Sequence, residues 1–209
     1  MTSGLTILFQ GDSITDCGRS REGSAPNSSL GGGYVQMTAA KLLSSAPDQN
    51  YKLFNRGISG NRIVDLYARW KSDALNMKPD VISILIGVND TWHEFGSRNG
   101  VEVPRYEKIY RELLQWTIDV LPEVKLVLCE PFVLVCGAVT PEWVPEINAR
   151  RETVKKLAAE FNAPFIPFQQ VFDAAVKKAP AEYWLSDGVH PSYAGHALMA
   201  EAWLKNVKL

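Results

Sequence analysis

A serine near the N-terminus and a histidine near the C-terminus are the residues best suited to covalent chemistry. Ser13 lies in the stretch QGDSITD, directly after the apolar run at residues 5–9. Asp187 and His190 are three residues apart in the segment DGVH. A serine hydroxyl becomes a nucleophile when an imidazole accepts its proton, and a carboxylate holds that imidazole in the required orientation. One short segment can therefore carry both the base and the group that orients it.

Taken alone, the stretch around Ser13 fits a plain turn equally well. Gly, Asp and Ser are common where a strand passes into a helix, because they suit turn geometry and helix capping. Asp12 and Asp16 are expected to brace this loop as hydrogen-bond acceptors rather than to act as acids. The choice between turn and nucleophile depends on what the rest of the sequence places beside Ser13.

Short apolar runs alternate with longer amphipathic segments along the chain. The runs cover residues 5–9, 51–54, 81–86, 124–129 and 164–168. Between the second and third runs, residues 62–75 place apolar side chains at helical spacing, with Asn61 as the expected N-cap. Five continuous apolar strands separated by helices predict the α/β class, with a doubly wound parallel sheet covered on both faces. Ligands of such sheets bind at the carboxyl ends of the strands, so the following loops are expected to hold the site.

Those loops supply donors as well as a nucleophile. Gly60 follows the second predicted strand and Asn89 follows the third. The negative oxygen of a tetrahedral intermediate needs fixed donors, and glycine lets a backbone N–H approach it closely. The N–H groups of Ser13 and Gly60 can fill this role, and Asn89 can add a side-chain amide. Asn89 and Asp90 also fit a turn or a helix cap, and a cap is the role expected for Asp90.

Taken in order, these segments resemble the SGNH subgroup of GDSL esterases and lipases over nearly the whole chain. The resemblance is carried by the blocks GDSITDCGR, GGGYV, GISGN, IGVNDTW and DGVHPSYAGH. Gly-Asp-Ser alone is weak evidence, whereas several blocks in order at strand ends are specific. The resemblance implies a three-layer α/β/α flavodoxin-like fold with a five-stranded parallel sheet. It implies Ser13 as nucleophile, His190 as base and Asp187 as its orienter, with Ser13, Gly60 and Asn89 forming the oxyanion hole.

Within that family the blocks are most similar to the intracellular acetyl-xylooligosaccharide esterases. This similarity implies a small carbohydrate ester, with acetyl as the acyl group, as the substrate. Aromatic faces stack on sugar rings, so aromatic residues in or near the predicted loops are expected as substrate contacts, although each fits a structural role equally well. These residues are Trp92, Tyr34, Trp143 and Trp184. Two long segments, residues 94–104 and 132–145, are expected to border the site or to form subunit contacts.

Two other functions stay open at this point. The same serine chemistry fits a broad short-chain acyl esterase, or a hydrolase similar to lysophospholipases and thioesterases. A catalytically silent binding module on the same fold is the alternative of another class, because fold does not fix function. The intact set of five site residues argues against a silent module.

The remaining histidines do not suggest a metal site. His93 and His196 compete with His190 as the base, but His196 lies inside the apolar pattern of residues 194–204 and is expected to pack within a helix. Three scattered histidines do not provide the ligand spacing of a metal centre. Neither a metal nor another cofactor is expected.

Composition limits the remaining classes. A chain of 209 residues with 46% hydrophobic content predicts a single domain spanning residues 1–209. The net charge of −1 disfavours a nucleic-acid partner or an anionic membrane surface, and no apolar run approaches the roughly 18 residues of a membrane span. The absence of a basic leader and of any Cys-x-x-Cys pair predicts a cytoplasmic protein with free thiols, among which Cys17 lies close to Ser13. The resemblance to the acetyl-xylooligosaccharide esterases implies a homo-oligomer.

Overall fold

A computed structural model describes residues 4–22 and 25–209, and its centre is one parallel sheet. The strands are β1 (Thr6–Gly11), β2 (Lys52–Asn55), β3 (Val81–Leu85), β4 (Lys125–Cys129) and β5 (Phe165–Ile166). Their order across the sheet is β2-β1-β3-β4-β5. The second strand therefore lies on one side of β1, whereas β3, β4 and β5 follow one another on the other side. The gap between the carboxyl ends of β1 and β3 is the switch point at which ligands of such sheets bind.

Helices cover both faces of the sheet. They are α1 (Ser13–Asp16), α2 (Tyr34–Ser45), α3 (Ile63–Asp73), α4 (Val88–Ser97), α5 (Val103–Val120), α6 (Trp143–Glu160), α7 (Phe168–Ala175), α8 (Ala181–Trp184) and α9 (Tyr193–Asn206). Two short 3₁₀ turns lie at Pro47–Gln49 and Leu75–Met77.

Alternate strand residues enter two separate cores. Ile7 and Phe9 of β1 pack on one face with α2, α7 and α9, whereas Leu8 packs on the other face with α3, α5 and α6. Successive side chains of a strand point to opposite faces, so a fully buried strand must be apolar throughout. The predicted α/β class and three-layer arrangement are confirmed.

Two local predictions are wrong. The N-cap of α3 is Arg62 rather than Asn61, because the Asp65 side chain accepts the Arg62 backbone N–H at 2.9 Å and closes a capping box. The predicted loop at 94–104 is also much shorter, since α4 continues to Ser97 and α5 begins at Val103. Packing of Phe95 on Trp143 gives the last turns of α4 a tertiary contact, and this contact favours continuation of the helix.

The connection after β4 does border the Asp-His segment, as expected for residues 132–145. The Leu134 N–H donates to the Gly188 carbonyl at 2.9 Å, and the Ala138 N–H donates to the Asp187 carbonyl at 3.0 Å. In the part of the chain that the structure describes, no helix has the length and apolarity to cross a bilayer.

Candidate active site

Ser13 lies at the first position of α1, immediately after β1 ends. Asp12 is the N-cap, and its Oδ1 accepts the Ile14 N–H at 3.0 Å. The first N–H groups of a helix have no acceptor within the helix, so this start leaves the Ser13 N–H free to meet a ligand. The local sequence thus presents the hydroxyl and the backbone donor of one residue at the switch point.

The structure brings Ser13, His190 and Asp187 together in a continuous hydrogen-bonded chain. Ser13 Oγ lies 2.8 Å from His190 Nε2, and His190 Nδ1 lies 2.6 Å from Asp187 Oδ2. An ionised carboxylate only accepts hydrogen bonds, so it selects the imidazole tautomer with the proton on Nδ1. His190 Nε2 is then the acceptor for the Ser13 hydroxyl. The hydroxyl bonds with His190 rather than with His93 or His196.

Asp187 is held ionised by its local contacts. Partial burial acts to raise its pKa, but hydrogen bonds from His190 and from the Val189 N–H outweigh burial and lower the pKa below its usual value. Asp187 Oδ1 accepts the backbone N–H groups of His190 at 2.7 Å and Val189 at 2.9 Å. The turn that makes these contacts needs Gly188, whose φ is +86° and whose Cβ equivalent would approach Leu134 and Cys136 carbonyl oxygens at 2.5 Å.

The three expected oxyanion donors follow neighbouring strands. Gly60 has a φ of +81°, a conformation that favours glycine. Asn89 is the second residue of α4, and its Nδ2 donates one hydrogen to the Asn61 carbonyl at 3.2 Å. An amide nitrogen carries two hydrogens, so a second one remains for a ligand. Within residues 4–22 and 25–209, the N–H groups of Ser13 and Gly60 donate to no protein acceptor.

Two buried carboxyl groups brace the segments that carry these donors. Asp12 precedes Ser13, while Asp90 follows Asn89 and accepts the Ile63 N–H with both oxygens, at 3.1 and 3.2 Å. Burial raises the pKa of Asp12 and of Asp90 to about 7 in each case. The hydrogen bonds from the Ile14 N–H to Asp12 and from the Ile63 N–H to Asp90 act in the opposite direction. Asp16 instead accepts the Ser59 N–H at 3.1 Å. Asp12 and Asp16 act as acceptors that brace their segments, as the sequence predicts. Asp90, the third residue of α4, does not cap that helix, whose N-cap is Gly87, and instead accepts the N–H of the first residue of α3.

Trp92 and Phe95 form an aromatic wall on the His190 side of α4, and Trp143 lies buried behind them at 4% exposure, which corrects its expected contact with substrate. The Trp92 ring lies 5.7 Å from the His190 ring between centroids, and its other neighbour is Trp143 at 5.4 Å. Phe95 stacks on Trp143 at 5.6 Å and is 45% exposed. Sequence reasoning missed Phe95, although it lies three residues after Trp92 and so on the same face of α4.

Tyr34 and Trp184 do not line the site, which corrects their expected contact with substrate. Tyr34 is fully buried between the rings of Phe9 and Phe168, and its hydroxyl lies 3.1 Å from Thr15 Oγ1. Trp184 is also buried and donates its Nε1–H to the Ala179 carbonyl at 3.2 Å. Core packing and an internal hydrogen bond satisfy each of these aromatic side chains.

His196 packs within α9, as the sequence predicts. Its Nδ1 accepts the Tyr34 backbone N–H at 3.1 Å, and its Nε2 lies 3.4 Å from Cys17 Sγ. Burial, aided by the nearby His190, lowers the pKa of His196 to about 4. The residue is therefore a neutral structural histidine at ordinary pH. Across the residues described, no three His, Cys, Asp or Glu side chains are grouped to hold a metal ion.

Known proteins are similar to this one over almost the full chain. The model of the GDSL-like lipase/acylhydrolase family matches residues 9–198. An acetylxylan esterase from Geobacillus stearothermophilus is 37% identical over 211 residues, which cover 98% of this chain and 94% of that protein.

Solved structures agree with the sequence comparison. A Parabacteroides merdae protein described as a GDSL-like lipase is 48% identical, with a TM-score of 0.94, over 97% of this chain and 95% of that one. The acetylxylan esterase Axe2 from Geobacillus stearothermophilus is 35% identical, with a TM-score of 0.89, over 97% and 94% of the two chains. The chain therefore belongs to the GDSL-like lipase/acylhydrolase family, and its activity is that of a carboxylic ester hydrolase.

Proposed function

We propose that the protein is a serine esterase that releases acetyl groups from a small carbohydrate ester. The observation that carries this proposal is the hydrogen-bonded chain from Asp187 through His190 to Ser13, with distances of 2.6 and 2.8 Å. In two Axe2 structures described as catalytic mutants, alanine replaces a serine in one and a histidine in the other. A serine and a histidine thus act in that relative, and this supports the same roles for Ser13 and His190.

Acylation begins when Ser13 Oγ attacks the ester carbonyl carbon and His190 Nε2 takes the hydroxyl proton. Negative charge then develops on the carbonyl oxygen, where the Ser13 and Gly60 N–H groups and the Asn89 amide donate to it. Asp187 stabilises the imidazolium that forms. His190 returns the proton to the departing sugar oxygen as the carbon–oxygen bond breaks, and an acetyl-Ser13 enzyme remains.

Deacylation repeats these steps with water as the nucleophile. His190 takes a proton from water, the resulting hydroxide attacks the acetyl carbonyl, and the same donors hold the second oxyanion. The bond to Ser13 Oγ then breaks, His190 protonates Ser13, and acetate leaves. The proposed cycle needs no metal or other cofactor.

The position of the aromatic wall supports a sugar as the leaving group. His190 protonates the departing oxygen, so the alcohol part of the ester lies on the His190 side of the carbonyl. Trp92 contacts His190 on this side, and exposed Phe95 extends the wall outward. Aromatic faces stack on sugar rings, and the Geobacillus relative is an acetylxylan esterase.

Acetyl release from acetylated xylose oligosaccharides tests this proposal against hydrolysis of aryl esters with two to eight acyl carbons. Wild type, Trp92→Ala and a control Trp116→Ala are compared, because Trp116 is a partly buried tryptophan of α5 that packs on Tyr67 of α3 rather than on His190. We expect rapid release from the sugar, a sharp loss of activity beyond acetyl, and a raised KM for the sugar in Trp92→Ala alone.

Other outcomes point to the alternatives. Similar rates on longer acyl chains, with none on sugars, indicate a broad acyl esterase or a lysophospholipase-like or thioesterase-like hydrolase. No turnover of any ester indicates a silent binding module.

We also propose a cytoplasmic location and a homo-oligomeric state. Cys17, Cys129 and Cys136 are free thiols, as expected in a reducing compartment. Cell fractionation and light scattering after size-exclusion chromatography test these two proposals separately.

A further inference from the structure

The guanidinium group of Arg69, on α3, binds two of the segments that form the candidate site. Its Nη1 donates to Gln10 Oε1 at 2.8 Å, and its Nη2 donates to the Gly11 carbonyl at 3.2 Å. Its Nε donates to Asn61 Oδ1 at 2.7 Å. One side chain therefore joins the end of β1 to the loop that follows β2.

A second link extends this connection to α4. The carbonyl of Asn61 accepts the Asn89 Nδ2–H at 3.2 Å. Arg69 is therefore linked to all three oxyanion donors. Ser13 lies two residues after Gly11 and Gly60 lies directly before Asn61, both of which Arg69 binds, and Asn89 binds the carbonyl of Asn61.

The surroundings of Arg69 restrict its movement. Its side chain is only 14% exposed, and Nη1 also contacts Asp73 Oδ2 at 3.1 Å. Its partner Gln10 is fully buried and donates to the Asp73 carbonyl at 2.6 Å. A planar guanidinium offers five donors in a fixed fork, and lysine cannot reproduce that geometry.

We propose that Arg69 is a positioning residue that sets the spacing of the Ser13, Gly60 and Asn89 donors. This proposal rests on the proposed function, because the donors matter only if an oxyanion forms between them. Arg69 touches neither substrate nor reacting atoms. Its effect should therefore appear in kcat rather than in KM, since interactions made mainly in the transition state raise turnover without tightening substrate binding.

The test compares Arg69→Met and Arg69→Lys with a control, Arg111→Met, in aryl acetate hydrolysis. Arg111 forms ion pairs with Glu107 and Glu160 on α5 and α6, far in sequence from the site loops. We expect kcat to fall about 10- to 100-fold in Arg69→Met and less in Arg69→Lys, with KM within about threefold. Arg111→Met should keep wild-type kinetics.

A double variant separates positioning from a general structural effect. If Arg69 acts through the oxyanion donors, Arg69→Met should reduce kcat less in an Asn89→Ala background than in wild type, because the damage overlaps. Thermal unfolding of each variant is measured alongside. If Arg69→Met does not fold, the same cycle with Arg69→Lys decides the question.

The inference and the proposed function fail in different ways. An unchanged kcat in Arg69→Lys and Arg69→Met, or fully additive losses with Asn89→Ala, overturns the role of Arg69 alone. If Asn89→Ala itself leaves kcat unchanged, the oxyanion hole assigned in the proposed function is wrong.

Discussion

Asp187 binds both the ring and the backbone of His190, at 2.6 Å from Nδ1 and 2.7 Å from the backbone nitrogen. A single carboxylate therefore fixes the orientation of the imidazole and the turn that carries it. Because both contacts lie within one four-residue segment, the base reaches Ser13 already oriented.

Replacing Asp187 by Asn should lower kcat by about 10³- to 10⁴-fold. An amide can donate to Nδ1 and so favour the tautomer whose Nε2 carries the proton and cannot accept one from Ser13. Steady-state kinetics on an aryl acetate checks this, with exposed Asp119→Asn as the matched control. Near-normal turnover in Asp187→Asn would exclude an orienting role for this carboxylate.

Ser13→Ala should lower turnover by about four to six orders of magnitude, because no acyl-enzyme can form without the hydroxyl. The measurement is acetate release at saturating substrate, and exposed Ser44→Ala serves as the control. Wild-type activity in purified Ser13→Ala would show that another residue attacks the ester.

Asn89→Ala should lower kcat by about two to three orders of magnitude, because one donor to the oxyanion is lost. KM should change little, because the neutral carbonyl oxygen of the bound ester accepts a weaker hydrogen bond from Asn89 than the oxyanion does. Exposed Asn76→Ala is the control. A raised KM with unchanged kcat would place Asn89 in ground-state binding instead.

Stability should depend on pH through Asp12. Burial raises its pKa from 3.8 to about 7, so the folded protein keeps the proton after the unfolded chain has lost it. The folded state binds more protons across this range, and the free energy of unfolding therefore falls as pH rises from about 4 to about 7. Asn cannot ionise and can still accept the Ile14 N–H.

Asp12→Asn should therefore gain stability relative to wild type across that range, by about 4 kcal/mol at the upper end, and the difference should be constant above it. Urea unfolding at several pH values measures the difference, and exposed Asp48→Asn should follow wild type. Parallel stability curves for Asp12→Asn and wild type would mean that Asp12 titrates normally.

The sequence predicts the sheet and the site loops because these signals are local. Each buried parallel strand is a continuous apolar run, and Ser13, Asn89 and His190 follow runs or turns that can be read directly. The resemblance to a known family supplied the roles of these residues.

The parts that could not be predicted depend on contacts between distant segments. Tyr34 is buried because α2 packs against β1 and α7, which brings Phe9 and Phe168 to its ring. Arg69 reaches Gln10 across 59 positions, and an arginine on an amphipathic helix gives no sequence sign of such a partner. Phe95 meets Trp143 only because α4 and α6 lie side by side.

Covalent labelling with a serine-directed phosphonate, followed by peptide mass spectrometry, tests the central claim most directly. We predict one adduct per chain, located on Ser13, with slow labelling in His190→Ala and none in Ser13→Ala. An adduct on another residue, or equal labelling of wild type and Ser13→Ala, would contradict the account.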